Sequence, residues 1–159
     1  MLHRVRLAGF IILGVLLLSV PRGGASAQDS MESSQVKQVV VSYFTALNES
    51  DTDTILDLYH EDSVFLPKNA PAARGIAAIA KAYRALFDAA KLNTAHVYHR
   101  VSVHGDMALV ESQGSGTLTL LESKKAVPSN NKELFVLRKI EGKWKIDYYV
   151  FNDSETAGR

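Results

Sequence analysis

Apolar residues recur at three- and four-residue spacing over Val36, Val39, Val40, Tyr43, Phe44 and Leu47, the pattern of a helix with one buried face. Ser34 stands where an N-cap is expected. The stretch "NESDTDT" breaks the pattern, and Ile55, Leu56, Leu58 and Tyr59 then predict a short second helix capped by Asp51 or Asp53. "HEDSVFLP" reads as a turn into a brief strand, 63–66, ended by Pro67, which has no N–H to give a central ladder. "KNAPAARG" reads as loop. "IAAIAKAYRALFDAA" carries the clearest helical stripe, with Ile76, Ile79, Ala80, Tyr83, Leu86 and Phe87 on one side.

From Asn93 onward the period changes to two, the signature of strands. One strand is expected through "TAHVYHRVSVH" and a second, after a turn at Gly105-Asp106, through "MALVESQGSGTLTL", where Gly114 and Gly116 suggest a bulge or bend. "ESKKAVPSNN" reads as the longest loop of the second half. "KELFVLRKI" and "KWKIDYYVFN" then form a hairpin about Glu141-Gly142. Strict alternation sets Trp144, Ile146, Tyr148 and Val150 on one face of the last strand, and Lys145, Asp147, Tyr149 and Phe151 on the other. Both faces carry large apolar side chains. Three helices followed by antiparallel strands imply an α+β plan, with helices on one face of a curved sheet.

The first 27 residues stand apart. Arg4 and Arg6 precede an apolar run, Leu7 to Val20, which Pro21 and two glycines end, and Ala25-Ser26-Ala27 offers a cleavage site. This is the layout of an export signal, with a retained single-span anchor as the alternative. Its run is shorter than the roughly 20 residues a membrane-spanning helix needs. Cleavage predicts a periplasmic or secreted chain, with a polar lead at 28–34, one domain at 35–152, a polar tail at 153–159 and no membrane attachment. Arg4, Arg6 and Arg22 leave with the signal, so 15 of the 18 basic residues remain against 17 acidic ones, a net of −2. That balance argues against nucleic acid as a partner. With no cysteine in the chain, disulfides and thiolate chemistry are excluded.

"VKQVVVSYFTALNESDTDTILDLYHEDSVF", the Arg74-Gly75 step into the third helix and the closing "EGKWKIDYYVF" together resemble the nuclear transport factor 2-like superfamily, close to its SnoaL-like and calcium/calmodulin kinase association-domain branches. The resemblance spans about Gln35 to Asn152. It implies a cone: a strongly curved, mostly antiparallel sheet wrapped around three N-terminal helices and enclosing a largely apolar pocket. It also implies a homodimer through the outer face of the sheet; alternation along the last two strands offers Phe135, Leu137, Tyr149 and Phe151 as the contacts of an assembly module on that face.

Such families isomerise, dehydrate, cyclise or only bind, so the fold leaves the function open. The first expectation is an exported protein that binds a small, largely apolar molecule in the conical pocket, without cofactor or metal. The ligand-facing residues are then Tyr43, Tyr59, Tyr83, His99, Glu111 and Gln113. The alternative is a cofactor-independent isomerase, dehydratase or cyclase in which Asp147, Glu111 or His99 moves protons and a tyrosine holds an oxyanion. A dimeric assembly module is the third. Asp147 also reads as a carboxylate paired with Arg138 or Lys145. The isomerases of this resemblance carry an aspartate late in the first strand, where this chain has Phe65 and Leu66 in "VFLP", and Asp62 reads as a turn residue. Zinc is excluded for His96, His99 and His104: the first two face apart, and His96 lies roughly 26 Å from His104 at about 3.3 Å per residue.

Overall fold

The computed structural model describes residues 23–154. Of the expected signal only its last five residues fall within that range, and the rest lies outside it. Helix α1 (Gly23–Glu49) runs straight through the segment expected as a polar lead. Ser34 is therefore not a cap but lies inside the helix, its hydroxyl donating to the Ser30 carbonyl at 2.9 Å. One anchor for this early part is Glu32, whose carboxylate accepts from Lys139 and from Trp144 Nε1, and whose pKa those two contacts lower, Lys139 most. Among the described residues no helix is long and apolar enough to cross a membrane.

Val36, Val40, Tyr43, Phe44 and Leu47 form the buried stripe of α1. After Glu49 the chain turns sharply, with Ser50 at φ 60° and the Asp51 amide donating to the Ala46 carbonyl. Asp51 then caps α2 (Thr52–Leu58), accepting from the Thr54 amide at 3.0 Å and from its hydroxyl at 2.6 Å. Asp51 thus joins the two helices, its amide closing the end of α1 and its carboxylate capping the start of α2. Tyr59, expected on the second helix, instead opens strand β1 (Tyr59–Leu66). Strand β2 is only Ala73–Arg74, and Gly75 at φ 77° leads into α3 (Ile76–Ala89). Gly75 adopts a backbone angle that side-chain-bearing residues avoid.

Strands β3 (Ala90–His104), β4 (Met107–Leu120), β5 (Ala126–Ile140) and β6 (Lys143–Asp153) form an antiparallel meander. The full order is β2-β1-β6-β5-β4-β3, and β1 runs parallel to β6. Most of the stretch expected as a long loop is strand: β5 begins at Ala126 and pairs with β4 from there. Pro128 fits because β6 ends opposite Asn131, leaving that part of β5 with a neighbour on one side only. Asp153, expected in the tail, closes β6.

Two single-residue bulges govern which side chains face the helices. The β3–β4 register slips between Tyr98 and Arg100, so His99 is the extra residue. The β5–β6 register slips between Val136↔Tyr148 and Leu137↔Ile146, so Asp147 is the extra residue there. Each bulge reverses the alternation. On β6 the inner face reads Trp144 and Ile146 before the bulge, then Tyr149 and Phe151 after it. Tyr148 points outward and is 42 % exposed. The last strand thus gathers Trp144, Ile146, Tyr149 and Phe151 on its inner face and leaves Tyr148 and Val150 on the outer one, a different division from the one strict alternation implied. Phe135, Leu137 and Tyr149 are buried in the core and are not outer-face contacts. Gly114 and Gly116, expected at a bulge, sit in regular pairing with His96 and Thr94.

Candidate functional site

Between α1, α3 and the first halves of β3 and β5 lies a cavity of about 1300 Å3. Its floor is aromatic and buried, formed by Tyr43 from α1, Phe65 from β1, Tyr83 from α3 and Tyr149 from β6. The rings form a column: Tyr83 stacks on Phe65 at 5.1 Å between centroids, Phe65 on Tyr149 at 5.4 Å, and Tyr149 on Phe135 at 4.2 Å. Val127 to Asn131, the part of β5 expected as loop, supplies one wall.

The three tyrosines expected from three different elements do meet. Tyr83 is the centre, its hydroxyl 2.7 Å from that of Tyr43 and 3.0 Å from that of Tyr59. Tyr43 and Tyr83 line the cavity, and Tyr59 stands behind them. Burial raises the pKa of all three well above the ordinary phenol value, so they remain protonated donors. The Tyr43 hydroxyl also faces that of Tyr149, so four phenols share the protons of this cluster. When Tyr43 and Tyr59 both donate to Tyr83, the Tyr83 proton is free to serve an acceptor in the cavity.

The other expected residues lie elsewhere. His99, at its bulge, is exposed, and the same slip turns Val97 outward at 62 % exposure. Glu111 and Gln113 are exposed on the outer face, in line with Met107 and Leu109. Asp147 is buried but outside the cavity lining, and its Oδ2 accepts from Arg138 at 2.6 Å. A cavity role for His99, Glu111, Gln113 or Asp147 is therefore corrected: three point away from the cavity and the fourth is held by an arginine.

In their place the inner wall holds His96 and Glu133. The residue Glu133 is 4 % exposed, and its Oε2 accepts from the Ser112 hydroxyl at 2.7 Å. Its Oε1 stands 3.5 Å from His96 Nε2, an ion-pair distance rather than a hydrogen bond. The imidazole lies flat on Phe44, with ring centroids 3.3 Å apart and planes 12° from parallel. Both His96 and Glu133 line the cavity. A signal for them existed. Glu133 shares a period-two face with Phe135 and Leu137, where a lone carboxylate is out of place unless it has partners.

Gly114, opposite His96 on β4, makes room for the pair. A Cβ there would lie 2.8 Å from His96 Nε2 and 3.0 Å from Glu133 Oε1. Gly114→Ala is expected to lift the imidazole off Phe44 and to cost about 1–3 kcal/mol, as overpacking does. Proton NMR checks it, because the His96 ring protons lose the shielding of the Phe44 face. Unmoved resonances would mean that the wall yields without disturbing the pair. As for metals, His60, Glu61 and Asp62 bring ligand atoms within 4.8 Å of one another on the exposed start of β1, away from the cavity. Exposed acidic groups of this kind need no ion.

The family model of the SnoaL-like domain matches residues 40–146. Among solved structures, the chain is similar to a ketosteroid isomerase-like protein from Erwinia carotovora atroseptica, with 29 % identity, 76 % of this chain and 94 % of that chain covered, and a TM-score of 0.73. A nuclear transport factor 2-like superfamily protein from Salmonella enterica has 16 % identity, coverage of 81 % and 95 %, and a TM-score of 0.72. A calcium/calmodulin dependent protein kinase II association-domain candidate from Xanthomonas campestris has 19 % identity, coverage of 87 % and 94 %, and a TM-score of 0.62. These last two bear on the fold alone. Comparison with curated proteins returns no match.

Proposed function

The chain belongs to the SnoaL-like domain family, and we propose that its cavity is the site of cofactor-independent proton transfer on a small, largely apolar molecule. The observation that carries this reading is the buried His96–Glu133 pair on the cavity wall. A carboxylate is costly to bury, and an imidazole beside it on an open cavity is a pair suited to moving protons. His96 takes a proton from carbon next to a carbonyl, Glu133 steadies the imidazolium that forms, and the electron pair moves onto the carbonyl oxygen. The Tyr83 hydroxyl donates to that oxygen. Return of the proton at the same or another carbon completes an exchange or an isomerisation. The ketosteroid isomerase-like name of the Erwinia protein is in line with proton transfer, but the aspartate of such isomerases is replaced here by Phe65 and Leu66, which counts against a ketosteroid substrate and assigns the base to His96 instead. The test is α-proton exchange of 2-tetralone in D2O, followed by NMR. Exchange accelerated by the protein above buffer supports the reading. A rate equal to buffer, for this and for a set of other enolisable ketones that bind the protein, overturns it.

A second reading concerns assembly and rests on the outer face. Met107, Leu109, Leu134 and Tyr148 are 51, 41, 40 and 42 % exposed there, on adjoining strands. Such a cluster suits a homodimer contact. It differs from the expected set on both strands: on β6 the bulge at Asp147 exchanges Tyr148 for Tyr149, and on β5 the outward face is that of Leu134, opposite to Phe135 and Leu137. Tyr148→Glu is expected to weaken self-association by a factor of about thirty, the ~2 kcal/mol cost of an unpartnered polar group. Sedimentation equilibrium measures it, and a parent protein that sediments as a monomer ends the idea.

A further inference from the structure

We propose that the molecule this cavity takes is amphipathic and anionic, with a neutral oxygen at the floor, an apolar body, and a carboxylate or similar anion at the rim beside Lys81. The inference rests on the proton-transfer reading for its floor, and on independent features for its rim. Exposure orders the cavity by depth. Tyr43, Tyr83 and Glu133 are buried, whereas Lys81 and Asp153 are exposed.

Each level selects a different chemistry. At the floor the Glu133 carboxylate repels an anion, while phenol donors call for a neutral acceptor such as a carbonyl oxygen. Above it, α3 turns Ala78, Ala82 and Ala85 to the cavity, where larger side chains would fill it. The resulting volume, about 1300 Å3, exceeds the roughly 300–1,000 Å3 of ordinary ligand sites. A multi-ring or long-chain body fits that space. At the rim two lysines line the cavity. Lys68 is held by Asp153. Lys81 has no such partner among the described residues, and the helix offers it none: the positions three and four away are Ala77, Ala78, Arg84 and Ala85. One uncompensated cation at the mouth of an apolar cavity is the complement of an anionic head on an apolar body.

Isothermal titration of the full chain with decanoate, decanol and decylammonium tests this. Decanoate is expected to bind about two- to fivefold tighter than decanol, as an exposed ion pair allows, and decylammonium weakest. In Lys81→Gln the decanoate advantage disappears while decanol affinity holds. Ala82→Phe, which fills the cavity, weakens all three. Equal binding of decanoate and decanol overturns the inference, as does an advantage that survives Lys81→Gln or binding untouched by Ala82→Phe. His96→Gln keeps the preference for decanoate. A protein with the preference but without ketone exchange therefore retains the rim and loses the proton-transfer reading, and the reverse result does the opposite.

Discussion

His96→Gln and Glu133→Gln are each expected to lower ketone exchange by about 10²–10⁴-fold, the usual contribution of a positioned acid or base, with ligand affinity and folding kept. Both changes are close to isosteric for the neighbours that matter. In Glu133→Gln the Ser112 hydroxyl still finds an amide oxygen at the place now 2.7 Å away. What it loses is the charge facing His96, and it leaves no unpaired buried charge behind, whereas His96→Gln leaves the buried Glu133 carboxylate with only the Ser112 hydroxyl and is the more costly of the two for stability. The informative split is between kcat and KM. Loss confined to kcat means that the pair acts on the reacting proton, whereas a matching rise in KM means that it only holds the ligand. Should His96→Gln instead unfold the domain, Glu133→Gln with His96 intact carries the test. Wild-type exchange in both variants would remove the pair from the mechanism.

Phe135→Ala is expected to destabilise the domain by about 3–5 kcal/mol, the range for a large aromatic removed from a packed core. Phe135 is fully buried, and its ring lies 4.2 Å from Tyr149, 5.2 Å from Tyr43 and 5.5 Å from Phe44 between centroids. It supports the cavity floor from beneath and the Phe44 face on which His96 rests. The loss can approach the entire stability of a small domain, so the urea midpoint falls steeply and much of the chain unfolds at 37 °C. A change under about 1 kcal/mol would show that neighbouring rings close over the gap, contrary to a column fixed by stacking.

The fold was legible where periodicity is regular. The helical stripes at Val36–Leu47 and Ile76–Phe87, the hairpin turns and the α+β plan follow from spacing alone. The strand order does not, because pairing of β1 with β6 joins segments distant in sequence and leaves no local mark. The polar start of α1 was missed because its support is a long-range contact, from Glu32 to Lys139 and Trp144. The tyrosine cluster was legible, since three phenols on apolar stripes must converge on one core. The carboxylate and imidazole were not. Alternation assigned His99 and Asp147 to their faces by counting through residues that are themselves the interruptions. Glu133 lies at the start of the apolar run Leu134–Leu137, and its partners His96 and Ser112 come from other strands, so beyond its period-two alignment with Phe135 and Leu137 nothing local in the sequence marks it as buried.

The two bulges have a consequence for how this domain can change. On β3 the inward residues are His96 and Tyr98, then Val101 and Val103; on β6 they are Trp144 and Ile146, then Tyr149 and Phe151. Deleting His99 or Asp147 would leave every one of these facing inward on an unbroken strand, while removing a local bend. Cavity width is therefore encoded as chain length at two positions. A one-codon deletion reshapes the enclosure with its lining chemistry intact, and an insertion or deletion elsewhere along these strands turns half the lining out to solvent.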